Sequence, residues 1–141
     1  MKVLIIYESL TGTTRRAAFM IAERLYEEGH EAVVSPVTHV DLQALKEADL
    51  VVVGTWTDGI VFFGQGPGRA ERLRRLPVMY GKRCVVYCTY AIDPGHTLEK
   101  LADILRDRGA DVVGGLAIRR GALEEGVEEL VRRLLALLVP A

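Results

Sequence analysis

The sequence predicts an α/β fold built on a parallel sheet, and three observations predict it. Apolar runs of strand length alternate with stretches of helical period along the chain, the pattern of successive βαβ units. The apolar runs are continuous rather than alternating, as in strands covered by helices on both faces. The three stretches that fit neither pattern each follow the carboxyl end of a predicted strand, which is the edge of an open α/β sheet where ligands bind.

Strands are expected at residues 3–7, 32–35, 50–54, 84–89 and 112–118. Between the first two, residues 13–28 put Ala18, Ile21, Ala22 and Leu25 on one face, with Gly29 where a helix C-terminal cap belongs. Residues 41–48 supply a short second helix opened by Asp41 as N-cap. Residues 69–76 form a third, basic helix ended by Pro77. Residues 97–108 carry Leu98, Leu101 and Leu105 at helical spacing, with Gly109 after them. Residues 122–138 close the chain with Leu123, Val127, Leu130, Val131 and Leu134 inward, although Gly126 costs that helix about 1 kcal/mol. No internal repeat, low-complexity tract or linker interrupts this order.

At 141 residues, 50% hydrophobic and 26% charged, one domain over residues 1–141 is expected. The net charge of -1, from 18 basic and 19 acidic residues, supplies no field for nucleic acid or an anionic membrane. The longest apolar stretches, such as 3–7 and 134–139, fall short of the roughly 20 residues that span a bilayer. A signal peptide would have to consume residues 3–6, which read as a core strand, so a cytoplasmic location is expected. Cys84 and Cys88 stand four residues apart in one strand, about 13 Å at the rise of a strand, which rules out a disulfide between them. His30, His39 and His96 are scattered, and neither a metal set nor a Ser-His-Asp or Cys-His arrangement can be argued from their order.

The chemistry lies in the three irregular stretches. Ser9-Leu10-Thr11-Gly12-Thr13-Thr14 joins the first strand to the first helix and offers four hydroxyls, a glycine for a tight turn and a run of helix-opening N–H groups. Such a turn can cradle a phosphate with neutral donors and the positive end of the helix dipole. One hydroxyl would suffice for an ordinary N-cap; four exceed that need. The triphosphatase signature Gly-x4-Gly-Lys-Ser/Thr and the dinucleotide signature Gly-x-Gly-x-x-Gly are both absent from this position. Neither cysteine is followed at the right spacing by the arginine of a phosphatase loop, and the acidic residues and lysine of a response-regulator receiver are missing.

The pattern Ser9-x-Thr11-Gly12-x-Thr14 after a first strand resembles the phosphate loop of the flavodoxin family, which binds flavin mononucleotide (FMN). Gly54-Thr55-Trp56-Thr57-Asp58-Gly59 is similar to that family's first ring-binding loop, and Thr89-Tyr90-Ala91-Ile92-Asp93-Pro94-Gly95 to its second. The resemblance covers the whole chain. It implies a flavodoxin-like three-layer sandwich with a five-stranded parallel sheet of order 2-1-3-4-5. It implies FMN as cofactor, held by Ser9, Leu10, Thr11, Gly12, Thr13, Thr14, Thr55, Trp56, Thr57, Asp58, Gly59, Thr89, Tyr90, Ala91, Asp93 and Gly95. In the family a peptide of the first loop reorients toward the reduced ring; Thr57-Asp58-Gly59 is the matching stretch.

Composition supports a flat aromatic ligand independently. The chain has one Trp, five Tyr and three Phe, and of these Trp56, Phe62, Phe63 and Tyr90 fall in the two loops. Trp56 and Tyr90 form the candidate sandwich; their alternative role is packing a lid onto the sheet edge. Residues 60–63, Ile-Val-Phe-Phe, cover a ring edge, dock a partner or form a satellite of the core. Asp58 and Asp93 are expected near the ring, where a carboxylate opposes added negative charge.

Two departures from the family pattern matter. Flavodoxins are commonly strongly acidic, whereas this chain is near neutral and carries the basic segment Arg69, Arg72, Arg74 and Arg75. The second loop also lacks the family's acidic, glycine-bounded tract. The leading function class is a one-electron carrier between redox protein partners. A flavin-dependent quinone or NAD(P)H reductase is the second, and a flavin-free interaction module on the same fold is the third.

Overall fold

Each of the five apolar runs forms a strand. The computed structural model describes residues 1–59 and 64–139. Its strands are β1 (Lys2–Tyr7), β2 (Glu31–Pro36), β3 (Leu50–Asp58), β4 (Gly66–Pro67), β5 (Arg83–Tyr90) and β6 (Asp111–Arg119). The helices are α1 (Thr13–Glu27), α2 (Leu42–Glu47), α3 (Ala70–Leu73), α4 (Thr97–Asp107) and α5 (Leu123–Leu137), with single 3-10 turns at Val37–His39 and Arg120–Ala122. The reading of residues 60–63 lies outside the described residues.

The long strands lie parallel in the order β2-β1-β3-β5-β6, which is the expected 2-1-3-4-5 when the five long strands are counted alone. To these five is added β4, which turns back antiparallel on the end of β3 through Thr57 opposite Pro67 and Asp58 opposite Gly66. Two residues carry no periodicity, so nothing in the sequence announces this strand. β3 itself runs four residues past the expected Gly54, taking Thr55, Trp56, Thr57 and Asp58 out of the predicted loop and into the strand.

Strand alternation explains why the runs read as continuous. Val3, Ile5, Leu50, Val52, Val85 and Tyr87 face α1 and α5, where they meet Ile21, Leu25, Leu130 and Leu134. Leu4, Ile6, Val51, Val53, Cys84 and Val86 face the other way and meet Leu45, Leu73, Leu101 and Leu105 from α2, α3 and α4. Burying both faces demands an apolar residue at every position. Asp41 caps α2 as expected, accepting the Ala44 N–H at 2.9 Å. The third helix is shorter than expected, with residues 74–76 forming turns before Pro77. Gly126 has a packing reason: a Cβ there would fall 2.4 Å from Ile118 Cγ2, so the glycine lets α5 approach β6 closely. Among the described residues, no helix is long and apolar enough to cross a membrane.

Three ionisable groups are sealed in β5. Burial pushes the Cys84 thiol up from 9.0 to about 12 and the Cys88 thiol up to about 11, and it pushes the Tyr87 phenol up as well. Each raised value means that the fold holds the neutral form while the unfolded chain ionises freely. Stability is therefore complete below pH 9 and falls as pH rises from about 9 through 11, by about 1.4 kcal/mol per pH unit for each thiol. Urea midpoints measured from about pH 8 to about pH 11 should decline over this interval, and less steeply in Cys84→Ala. A flat profile in the parent protein would contradict the burial argument.

Candidate functional site

The parallel sheet carries every strand-to-helix turn to one edge, and three of these turns meet there. Glu8, at the end of β1, donates its N–H to the Gly54 carbonyl of β3 at 2.9 Å, so the first turn starts against the middle of the sheet. Gly12 then takes φ +98, a left-handed conformation costly for any side chain, and donates its N–H to Ser9 Oγ at 3.0 Å. It occupies the N-cap position of α1, and its carbonyl receives the first helical bond, from Arg16 N–H at 2.8 Å. No side chain caps this helix. The opening N–H groups of residues 13–15 therefore remain available as donors beside the hydroxyls of Ser9, Thr11 and Thr13.

One of the four expected cradle hydroxyls is committed elsewhere. Thr14 is buried, and its Oγ1 is 3.0 Å from Thr89 Oγ1 of β5. Its carbonyl accepts the Tyr87 hydroxyl at 2.9 Å. These bonds bolt the first turn of α1 onto β5. They fix the floor of a cavity of about 90 Å³ lined by Ser9, Leu10, Thr11, Thr13 and Thr14, by Trp56 and Thr57, by Thr89, Tyr90 and Ala91, and by Arg120.

Ten of the sixteen expected residues thus share one cavity, and six do not line it. Gly12 shapes the turn. Thr55 is fully buried within the sheet and donates its hydroxyl to the Gly68 carbonyl at 2.8 Å, which holds the returning arm down. Asp58 and Gly59 sit exposed at the far end of the β3–β4 arm. Asp93 spends a carboxylate oxygen on the Gly95 N–H at 3.0 Å, and its carbonyl accepts from Gln65 Nε2. Gly95 packs on that Gln65 side chain, and Lys100 Nζ reaches the Gln65 carbonyl at 2.7 Å. The second loop is therefore stitched to the arm, and its carboxylate serves the turn rather than the cavity. Neither Asp58 nor Asp93, both expected near a ring, lines the cavity: strand pairing leaves one at the exposed end of the arm, and a turn engages the other.

Trp56 is held from below. Gly68 is buried flat against the indole, and Arg69 places its guanidinium carbon 5.4 Å from the ring centroid. Arg69 Nη1 also contacts Glu8 Oε1 at 2.7 Å, and Arg72 reaches the same carboxylate at 3.3 Å. Glu8 is only 5% exposed, so a buried carboxylate next to the hydroxyl turn is paired by two arginines from across the site. Arg74 pairs with Glu71. Much of the basic segment is thus neutralised within the fold rather than offered to a partner.

Thr57, which lines the cavity, has a buried Oγ1 without a hydrogen-bond partner, and its side chain partly opposes the raised pKa of the Cys88 thiol. A buried, unpartnered hydroxyl on a residue that lines a cavity is an arrangement expected where a ligand supplies the missing partner. The sequence also points to no role for Arg120, Gln65 or Gly68. Arg120 carries a signal, since it directly follows the last strand and must emerge at the same sheet edge. Gln65 and Gly68 carry none. A larger open groove of about 340 Å³ lies between α4 and β6, lined by residues such as Leu98 and Val113. It lacks the convergence of helix N-terminus, hydroxyls and aromatics, so chemistry rather than size identifies the site.

An open parallel sheet with helices on both faces, a hydroxyl-rich turn after β1 and an aromatic on each of two flanking strands defines a protein of flavodoxin-like class. The chain belongs to the flavodoxin domain family, whose model matches residues 4–137. Among solved structures it is similar to oxidised flavodoxin 2 from Bacillus cereus, at 27% identity and TM-score 0.72, over 96% of this chain and 97% of that one. It is similar to a cysteine-to-serine mutant of flavodoxin from Pseudomonas aeruginosa, at 22% identity and TM-score 0.73, over 98% and 99%. It also matches the rubredoxin oxygen:oxidoreductase from Desulfovibrio gigas, at 20% identity and TM-score 0.69, over 99% of this chain but only 37% of that longer one. Comparison with curated protein sequences returned no match.

Proposed function

We propose that the protein binds FMN at this cavity and carries electrons singly between redox partners. The observation that supports the reading best is the convergence on one cavity of the uncapped N-terminus of α1 with Trp56, Tyr90 and Thr57, whose hydroxyl is unpartnered. The donor set suits the ligand. Ser9, Thr11, Thr13 and the N–H groups of α1 would hold the phosphate; Trp56 and Tyr90 would flank the ring; Thr57 and the main chain of residues 89–91 would meet its polar edge. Bound there, FMN supplies one- and two-electron chemistry that no side chain offers. The protein's own work is to bind, orient and exclude water.

The volume bears on how binding would occur. Small-molecule sites are commonly about 300–1,000 Å³, and the cavity is about 90 Å³. The β3–β4 arm and the second loop would part to admit the ring, breaking the Gln65–Asp93 bond between them and the bond that ties Gln65 to Lys100 of α4. The same small volume is the specific observation in favour of the alternative reading as a flavin-free interaction module. Likeness to part of an oxidoreductase and to flavodoxins along nearly their full length supports the redox reading over that module.

Titration of the protein with FMN is the test. Flavin fluorescence should be quenched with one equivalent bound, and anaerobic reduction of the complex should proceed in two separate one-electron steps. Unquenched fluorescence at micromolar concentrations would sink the flavin reading. Steady NADPH oxidation with a quinone would move the protein to the reductase class.

A further inference from the structure

We infer that Arg120 is the charged member of the phosphate subsite and sets the preference of this cavity for a phosphorylated over an unphosphorylated flavin, an inference that rests on the flavin reading above. Arg120 opens the 3-10 turn Arg120–Ala122 between β6 and α5. Its Nη2 is 3.4 Å from Thr11 Oγ1, and it lines the same cavity as Ser9, Thr11 and Thr13. The contact joins residues 109 positions apart, so it is the tertiary fold that brings the guanidinium to the hydroxyl turn.

The charge on Arg120 is not spent elsewhere. Among the described residues no carboxylate lies within ion-pair distance of it, whereas Arg69 and Arg72 are paired with Glu8 and Arg24 with Glu27 and Glu128. Glu124 and Glu125 border a neighbouring cleft that Arg120 shares with Arg16, yet among the described residues neither is ion-paired with it. The remainder of the cradle is neutral: hydroxyls and main-chain N–H groups at the start of α1. Neutral donors compensate a dianion through dipoles alone, while an arginine fork adds a Coulombic attraction that scales with the charge on the ligand. Riboflavin carries the same ring system and no phosphate. A group acting on the phosphate must therefore discriminate FMN from riboflavin, and a group that merely props up the loop cannot.

The experiment compares dissociation constants of FMN and riboflavin for the parent protein, Arg120→Gln, Arg120→Lys and Arg119→Gln. Arg120→Gln should weaken FMN about tenfold at low salt, a value held down by the exposure of the side chain, and leave riboflavin unchanged. Arg120→Lys should recover part of the loss. Arg119→Gln removes the same charge one residue away, outside the cavity lining, and should shift neither ligand. Added salt should erode FMN binding more in the parent than in Arg120→Gln. Equal weakening of both flavins by Arg120→Gln would assign the residue a structural role and overturn the inference, as would unchanged FMN affinity. A parent protein that binds neither flavin would overturn the flavin reading itself and this inference with it.

Discussion

Gly54→Ala should cost the protein about 2–6 kcal/mol, the largest loss expected from adding a single methyl group to the sheet. Gly54 lies in the middle of β3, opposite Tyr7 of β1 on one side and Tyr87 of β5 on the other. A Cβ there would sit 2.0 Å from Tyr87 Cζ, 2.2 Å from Cε1 and 2.4 Å from Cε2. The ring lies across the glycine and cannot stay. Tyr87 is fully buried, and its hydroxyl donates to the Thr14 carbonyl at 2.9 Å. Displacing it therefore adds two costs, about 1–3 kcal/mol for overpacking and about 1–3 kcal/mol for a buried hydroxyl and carbonyl parted from each other. For a chain of this length the sum corresponds to a fall in Tm of about 10 °C. A thermal melt of Gly54→Ala within about 2 °C of the parent would show that the ring has another place to go. In a Tyr87→Ala background the methyl group added at position 54 should cost little, because the clash and the broken bond are already gone. The loss would reach the site as well, since the Tyr87 bond secures the turn of α1 that floors the cavity.

What can be read in the sequence, and what cannot, divides along a physical line. The central strands β1, β3 and β5 are legible because each is buried on two faces, which leaves an unbroken apolar run such as Leu50-Val51-Val52-Val53, whereas the edge strands β2 and β6 are buried only in part. The convergence of residues 9–14, 55–57 and 89–91 is legible for a topological reason: parallel strands deliver all their outgoing turns to one edge. Side-chain direction is not legible. Thr55 and Trp56 are consecutive, and pleating sends the first into the sheet and the second to the cavity. Asp58 and Asp93 look equivalent in the loops, but a β-bridge carries one outward and a local turn occupies the other. The basic run at 69–75 reads as free charge because its partner, Glu8, stands about sixty positions earlier. The opening of α1 reads as over-supplied with caps, yet the helix uses none of them and keeps its N–H groups unengaged by side chains.

The second large effect is expected from Gly68→Ala, and it should appear in the ligand site more than in global stability. Gly68 is buried, and a Cβ at this position would fall 2.2 Å from Cδ2 and Cε2 of Trp56 and 2.6 Å from Cε3. The backbone of Gly68 is pinned at both ends, its N–H donating to the Trp56 carbonyl at 2.8 Å and its carbonyl accepting Thr55 Oγ1 at 2.8 Å. The indole must then be the group that yields. Trp56 is the only tryptophan in the chain, so its emission reports on this one position. Gly68→Ala should shift that emission to the red as the ring is lifted toward water. It should also weaken FMN roughly tenfold through loss of a stacking surface worth about 0.5–1.5 kcal/mol beyond its area. Gly66 supplies the control within the same arm. A Cβ there meets nothing nearer than Lys100 Cδ at 3.8 Å, and its alanine variant should leave both the emission and the affinity unchanged. If Gly68→Ala alters the emission but not the affinity, Trp56 lines the cavity without touching the ligand.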